Sequence, residues 1–170
     1  VHRAWNAIQN PLTLRGTGQD VRGVFGFMQT FLSVIRRWSP THVVITFDTP
    51  EPTFRHREFK EYKAHRPESP QELRNQFPIV RELMEAFRVP IFAVDGFEAD
   101  DLLGTLSTQA TGKGLATLIL TGDTDTLQLV SPTVKVLLYH RAGEQKVCDE
   151  AQVAVRYEGL TPVQVIDFKA

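Results

Sequence analysis

Between Asp95 and Asp125 the chain places six carboxylates, Asp95, Glu98, Asp100, Asp101, Asp123 and Asp125, against one base, Lys113. Carboxylates repel one another and are costly to desolvate, so six of them with no arginine nearby in sequence point to a cation that neutralises them. Oxygen donors in this number suit a hard divalent ion, Mg²⁺ or Mn²⁺, better than zinc. The one cysteine, Cys148, has no partner at thiolate-site spacing, and the five histidines show no ligand spacing to one another. Each acid also has a local explanation. Glu98, Asp100 and Asp101 can be charge in the first turn of a helix, where the macrodipole stabilises it. Glu98 and Asp101 are three apart and share a helix face, whereas Asp100 points elsewhere. Asp123-Thr124-Asp125 can cap a short helix, and Asp48 can be a turn residue.

A basic stretch precedes these acids. Residues 55 to 66 hold five Arg or Lys against two Glu, although the formal net charge of the chain is only -1. Helical spacing predicts that Arg55, Phe59, Tyr62 and Arg66 line one side of a helix running from Phe54 to Arg66. Phe59 and Tyr62 between cations can stack on bases while the cations meet phosphates; the alternative is a solvated helix face. An acidic site beside a basic segment is what an enzyme acting on a polyanion needs.

Both groups must be held by a frame, and 170 residues with 42% hydrophobic content can bury one sizeable core, most simply one domain over 1–170. A single cysteine fits a reducing cytoplasm, no apolar run is long enough to span a membrane, and no signal peptide is legible. Asp20 is expected to cap a helix from Val21 to Trp38 whose inward face is Val24, Phe27, Met28, Phe31, Leu32 and Ile35. Val43 to Phe47 reads as a buried strand followed by Asp48. Ser69-Pro70-Gln71-Glu72 has the capping-box pattern and opens a helix to about Phe87, with Leu73, Phe77, Val80, Leu83 and Met84 inward. Strands follow at Pro90 to Val94 and Leu115 to Leu120, with a helix from Glu98 to about Gln109 between them and a short helix through Leu129 after them. Val134 to Tyr139 and Glu144 to Val147 read as a hairpin around Ala142-Gly143. Asp149 and Thr161-Pro162 can each start a helix. This alternation predicts an α/β fold with a mainly parallel central sheet flanked by helices, and ligands bind such sheets beyond the strands' C-terminal ends. Asp48, Asp95 and Asp123 each follow such an end.

Five motifs together carry a family resemblance: Phe47-Asp48, Thr53-Phe54-Arg55-His56, Tyr62-Lys63-Ala64-His65-Arg66, Gly96-Phe97-Glu98-Ala99-Asp100-Asp101, and the stretch from Thr121 to Leu129. In order and interval the chain resembles the 5′ nuclease domain of bacterial DNA polymerase I, grouped with flap endonucleases and phage 5′ exonucleases in a PIN-like fold. The resemblance implies that Asp48, Glu98, Asp100, Asp101, Asp123 and Asp125 surround two divalent metals, Mg²⁺ or Mn²⁺. It makes Arg55 and Lys63 the catalytic cations that hold the scissile phosphate. Tyr62 and Arg66, with Phe59, would lie beside them on DNA in a helical arch spanning residues 53–77. The implied reaction is attack of water on a DNA phosphodiester, with two metals about 4 Å apart activating the nucleophile and stabilising the leaving oxygen.

The chain departs from the family pattern at both ends. The family's first strand, with its metal-binding aspartate, would stand before Val1, and a Gly-Asp-x-Ser-Asp motif and helix-hairpin-helix would follow Ala170. The chain is therefore expected to be the middle of such a domain, truncated at both ends and weak or inactive alone. The implied function is a metal-dependent 5′-3′ exonuclease and flap endonuclease of replication and repair. Its partner is DNA with a 5′ end or 5′ flap, with a polymerase domain expected in covalent linkage and no membrane. The alternative is a non-catalytic nucleic-acid-binding module of the same fold. A haloacid-dehalogenase-like phosphatase fails because Leu127 stands where Asp-x-Asp-x-Thr or Val would need its last residue.

Overall fold

The computed structural model of the chain describes residues 1–65, 67–139 and 145–169. Arg66, the Ala142-Gly143 turn and Glu144 lie outside the described residues. The chain forms two compact units, Val1–Phe97 and Glu98–Ala170.

The first unit runs α1 (His2–Ala7), α2 (Arg22–Trp38), β1 (Ile45–Thr46), α3 (Phe54–Glu58), α4 (Gln71–Arg74), α5 (Gln76–Ala86) and β2 (Ile91–Phe92). β1 and β2 pair in parallel, Ile45 opposite Ile91, so Asp48 and Asp95 leave the same edge of this two-stranded sheet. Val24, Val80 and Met84 are buried at its core, with Phe27, Met28, Phe31, Ile45, Phe47 and Leu83 packed around them. Leu32, expected inward, is 42% exposed, because its place on α2 turns it away from α5 and the sheet.

Two helix expectations are corrected in this unit. The stretch from Phe54 to Arg66 is not one helix: α3 ends at Glu58, Phe59 is extended at φ -128 and ψ 99, and successive turns follow. Arg55, Phe59 and Tyr62 therefore do not line one helical side. Ser69 does not close a capping box either. Pro70 stands at the N-cap with no side-chain bond, and the expected single helix is divided into α4 and α5 at Asn75.

Gln76 explains the second helix's register. Its side chain is fully buried; Oε1 accepts from Gly23 N–H at 2.8 Å and Val24 N–H at 3.1 Å, while Nε2 donates to the Glu72 carbonyl at 3.0 Å. A residue of α5 thus satisfies two of the donors that any helix leaves open at its start, here on α2, while Asp20 Oδ1 takes the Arg22 N–H at 3.0 Å. A Cβ on Gly23 would stand 2.8 Å from that same Gln76 oxygen, so glycine is what allows the approach.

The second unit runs α6 (Ala99–Gly112), β3 (Thr117–Thr121), a 3₁₀ helix (Thr124–Leu129), β4 (Val134–Tyr139), β5 (Gln145–Cys148), α7 (Glu150–Arg156) and α8 (Gln164–Lys169). β3 pairs with β4 in parallel from Thr117–Val134 to Thr121–Leu138, and β4 pairs with β5 antiparallel, Val136 opposite Cys148. Among the described residues two of the three strand pairings are parallel, as the alternating pattern predicts. Ile119, Leu127, Val136, Leu138, Val153 and Val165 form the core with Cys148 among them. Asp149 caps α7 as expected, accepting from Gln152 N–H at 3.1 Å. No helix among the described residues is long and apolar enough to cross a membrane.

Two stability predictions follow from these cores. Replacing Gln76 by Met keeps the volume and leaves the Gly23 and Val24 N–H groups buried without an acceptor, so urea unfolding should show a loss of about 2–4 kcal/mol. Burial pushes the Cys148 thiol up, ahead of smaller opposing effects from Lys146 and Arg156. A folded-state value above the unfolded one means the unfolded chain gives up its proton first. Stability should therefore decline as pH rises through about 8.5, the range of a free thiol. A thiol-reactive chromophore should react with Cys148 only on unfolding, and Cys148→Ala should flatten the alkaline decline.

Candidate functional site

The candidate acids of the second unit stand at two helix starts. Glu98 is the N-cap of α6 and exchanges bonds with Asp101 in a capping box: Asp101 Oδ2 accepts from Glu98 N–H at 2.9 Å, and the Glu98 carboxylate accepts from the backbone of Asp101. Asp100 is exposed in the same turn. Asp123, two residues past the end of β3, caps the 3₁₀ helix through Oδ1 and the Asp125 N–H at 2.9 Å, and its own N–H donates to Thr121 Oγ1 at 3.0 Å. α6 packs against both β3 and the 3₁₀ helix, with Gly104 close enough that a Cβ there would meet Leu129 at 3.5 Å.

Asp125 has a partner that local pattern did not announce. Lys169, near the end of α8, forms an ion pair with Asp125 Oδ1 and donates to Thr124 Oγ1 at 2.9 Å. The two residues are 44 apart in sequence, and only the packing of α8 on the 3₁₀ helix joins them.

The structure thus brings the acids together as two pairs, Glu98 with Asp101 and Asp123 with Asp125. Among the described residues no three or more His, Cys, Asp or Glu are grouped so as to hold a metal ion. Asp48 is exposed two residues beyond β1 in the first unit. The donor set nonetheless fits a hard divalent ion in kind, being made only of carboxylate oxygens, and a capping bond occupies one of about four acceptor positions on each carboxylate.

The basic segment belongs to the first unit. Arg55 Cζ lies 4.6 Å over the Phe54 ring and Lys63 Nζ lies 5.0 Å over the Tyr62 ring, so each candidate phosphate cation rests on an aromatic neighbour. Phe59 is 68% exposed. Arg66, expected beside them on DNA, falls outside the described residues. Lys63 has φ +56, a left-handed backbone unusual for a residue with a side chain.

The start of the segment is tied to the turn after β2. Phe54 N–H donates to the Gly96 carbonyl at 3.0 Å, and the Phe54 and Phe97 rings meet at 5.9 Å. Thr53, buried, and His56 form a second capping box, with a histidine where glutamate or glutamine is usual. Its signal in the sequence is Thr-x-x-His at a helix start.

The model of the 5′-3′ exonuclease N-terminal resolvase-like domain matches residues 1–158. DNA polymerase I of Chloroflexus aurantiacus is 39% identical over 171 residues, a match that covers 99% of this chain and 18% of that protein. The chain therefore spans under a fifth of the length of that curated relative. Among solved structures, the T5 D15 protein co-crystallised with metal ions matches with a TM-score of 0.67 at 16% identity, covering 84% of this chain and 55% of that one. The catalytic core of Rad2 in complex with DNA substrate matches with a TM-score of 0.54 at 18% identity, covering 98% of this chain and 49% of that one. These likenesses are in fold alone and agree with the expected α/β fold. By the extent of the family match, which runs through both units, the chain belongs to the 5′-3′ exonuclease N-terminal resolvase-like domain family.

Proposed function

We propose that this chain cleaves DNA phosphodiesters as a divalent-metal-dependent 5′-3′ exonuclease and flap endonuclease, working as one domain of a bacterial DNA polymerase I in the cytoplasm. The observation that carries the reading is the single family match running through both units, inside which lie the paired acids of α6 and the 3₁₀ helix and the ring-supported cations of the basic segment. Mg²⁺ or Mn²⁺ is the proposed metal, held by Asp48, Glu98, Asp100, Asp101, Asp123 and Asp125. Bound there, it would supply an activated water and offset charge on the leaving oxygen.

The remaining chemistry belongs to the chain's own side chains. Arg55 is a planar fork that binds two phosphate oxygens, and Lys63 is a compact charge that meets the negative charge building up on the reacting phosphate. Tyr62 and Phe59 offer ring faces to bases, a contact that tolerates any sequence, as an enzyme recognising a 5′ end or flap by structure requires. The other reading, a nucleic-acid-binding module without catalysis, is favoured by one observation: Asp125, one of the proposed ligands, already pairs with a cation of the chain, Lys169.

Single-turnover cleavage of a labelled 5′-flap duplex, beside equilibrium binding in Ca²⁺, separates the two. The measurement is made on the 170-residue chain and on a longer chain carrying the segments expected on either side. Lys63→Ala should slow cleavage by 10²-fold or more, about 3 kcal/mol, because it removes charge stabilisation in the transition state. Affinity should fall only a few-fold, since one phosphate contact among many contributes about one unit to the salt slope. Asp123→Asn keeps a capping oxygen for the Asp125 N–H but loses the anionic donor, so it should abolish cleavage while leaving binding and thermal stability near the parent values. Binding without metal-dependent cleavage in the longer chain would establish the non-catalytic module instead.

A further inference from the structure

Lys63 can hold a phosphate only if something holds Lys63, and the basic segment has no long helix to do so. Its support is traceable residue by residue within the first unit. Thr53 is 6% exposed and offers two donors to one atom of His56: the Thr53 backbone N–H lies 3.2 Å from Nδ1 and the hydroxyl 2.8 Å from it. A backbone N–H can only donate, so His56 Nδ1 is an acceptor and the proton of the neutral ring sits on Nε2. The reciprocal bond runs from the His56 backbone to the Thr53 side chain, which locks the ring in place at the start of α3.

The locked ring then meets Tyr62 edge-on, with centroids 5.3 Å apart and planes at 86°. Lys63 Nζ stands 5.0 Å over the face of the same Tyr62 ring. Turns closed by Tyr62 N–H to the Phe59 carbonyl at 2.9 Å and Ala64 N–H to the Glu61 carbonyl at 3.1 Å bring the chain back to make these contacts. The left-handed backbone of Lys63 is what a residue adopts when its surroundings, rather than its own preference, determine its place.

We propose that His56 is a positioning residue for Lys63, acting through the ring of Tyr62 rather than through the helix cap alone. The proposal rests on the reading of Lys63 as a phosphate-holding group. His56 itself touches no reacting atom.

The two jobs of His56 can be separated. Glutamine at this position of a capping box still reaches back to the Thr53 N–H, so His56→Gln keeps the cap and deletes the ring, whereas His56→Ala deletes both. The 170-residue chain, free of DNA, is treated with trypsin, and cutting after Lys63 is followed by mass spectrometry. Both variants should raise the rate of that cut about tenfold, while His56→Gln leaves the thermal midpoint near that of the parent. Tyr62→Leu should raise it equally, and His56→Gln with Tyr62→Leu should raise it no further than either alone, because both act through one contact. Parent-like cutting in His56→Gln would overturn the proposal and leave His56 a cap. Multiplying effects in the double variant would overturn it as well.

Flap cleavage supplies a separate arm. His56→Gln should lower kcat with KM nearly unchanged, and should have no further effect in a Lys63→Ala background. If Lys63→Ala itself cleaved like the parent, the reading of Lys63 as a phosphate-holding group would fail, and the trypsin pattern would still decide whether His56 positions it.

Discussion

The turn at Gly96 is the constraint on which the basic segment depends. Its φ of +86 is a backbone that favours glycine, and a Cβ there would stand 3.0 Å from Arg57 Nη2. With no side chain in the way, the Gly96 carbonyl receives the Phe54 N–H and the Phe97 ring receives Phe54. α3 has five residues, far fewer than a helix needs to persist in water on its own. It persists because its N-cap and its first residue are both engaged, Thr53 by the box with His56 and Phe54 by the turn. A residue larger than glycine at 96 would move the guanidinium above it, strain the backbone below it, and loosen the entrance to the segment that carries Arg55 and Lys63.

The acids pose a different problem, solved locally. Five candidate carboxylates of the second unit stand at helix starts, where Glu98, Asp101 and Asp123 each accept a backbone N–H and Asp100 and Asp125 meet the positive dipole end, a contribution of about 1 kcal/mol apiece. That arrangement makes the cluster tolerable to the folded chain without a bound cation, and Lys169 adds a positive charge at Asp125. Such an exposed pair contributes little to stability, because water already screens Asp125. Capping and metal ligation are not rival uses of one group. A carboxylate that orders a helix start with one oxygen has its other lone pairs fixed in direction, which is the preorganisation that a site built from many acids needs.

How much of this was legible in the sequence depends on how local the physics was. β4 matched its expected ends residue for residue, since a short run of Val, Leu and Tyr bounded by turn residues admits few alternatives. Asp149 as a cap was legible for the same reason. The spacing of Arg55, Phe59, Tyr62 and Arg66 was misleading: it is compatible with a helix, but Phe59 finds no core to face and the chain turns instead. The division at Asn75 was hidden because it answers to Gln76, whose partners are more than 50 residues away on α2. A polar residue in an apolar stripe reads as surface until the distant donors are known. The acids were legible as candidates and the basic segment as their neighbour in sequence; Lys169 was not, because nothing near Asp125 in the chain announces a cation from α8.

Two separate lines of support now reach the two candidate cations. Arg55 rests on Phe54, which rests on Phe97; Lys63 rests on Tyr62, which meets His56, which is bound to Thr53. Both lines begin within four consecutive residues, Thr53 to His56, so one short helix start supports both of the charges proposed to meet a phosphate. The cost of that economy is visible at Lys63, whose left-handed backbone is about 1 kcal/mol or more less favourable than an ordinary turn. A flexible loop would have avoided the strain and lost the geometry. The segment gives up local stability for a lysine held over a ring face, and under the role proposed for Lys63 what it gains is the position of the charge, not merely its presence.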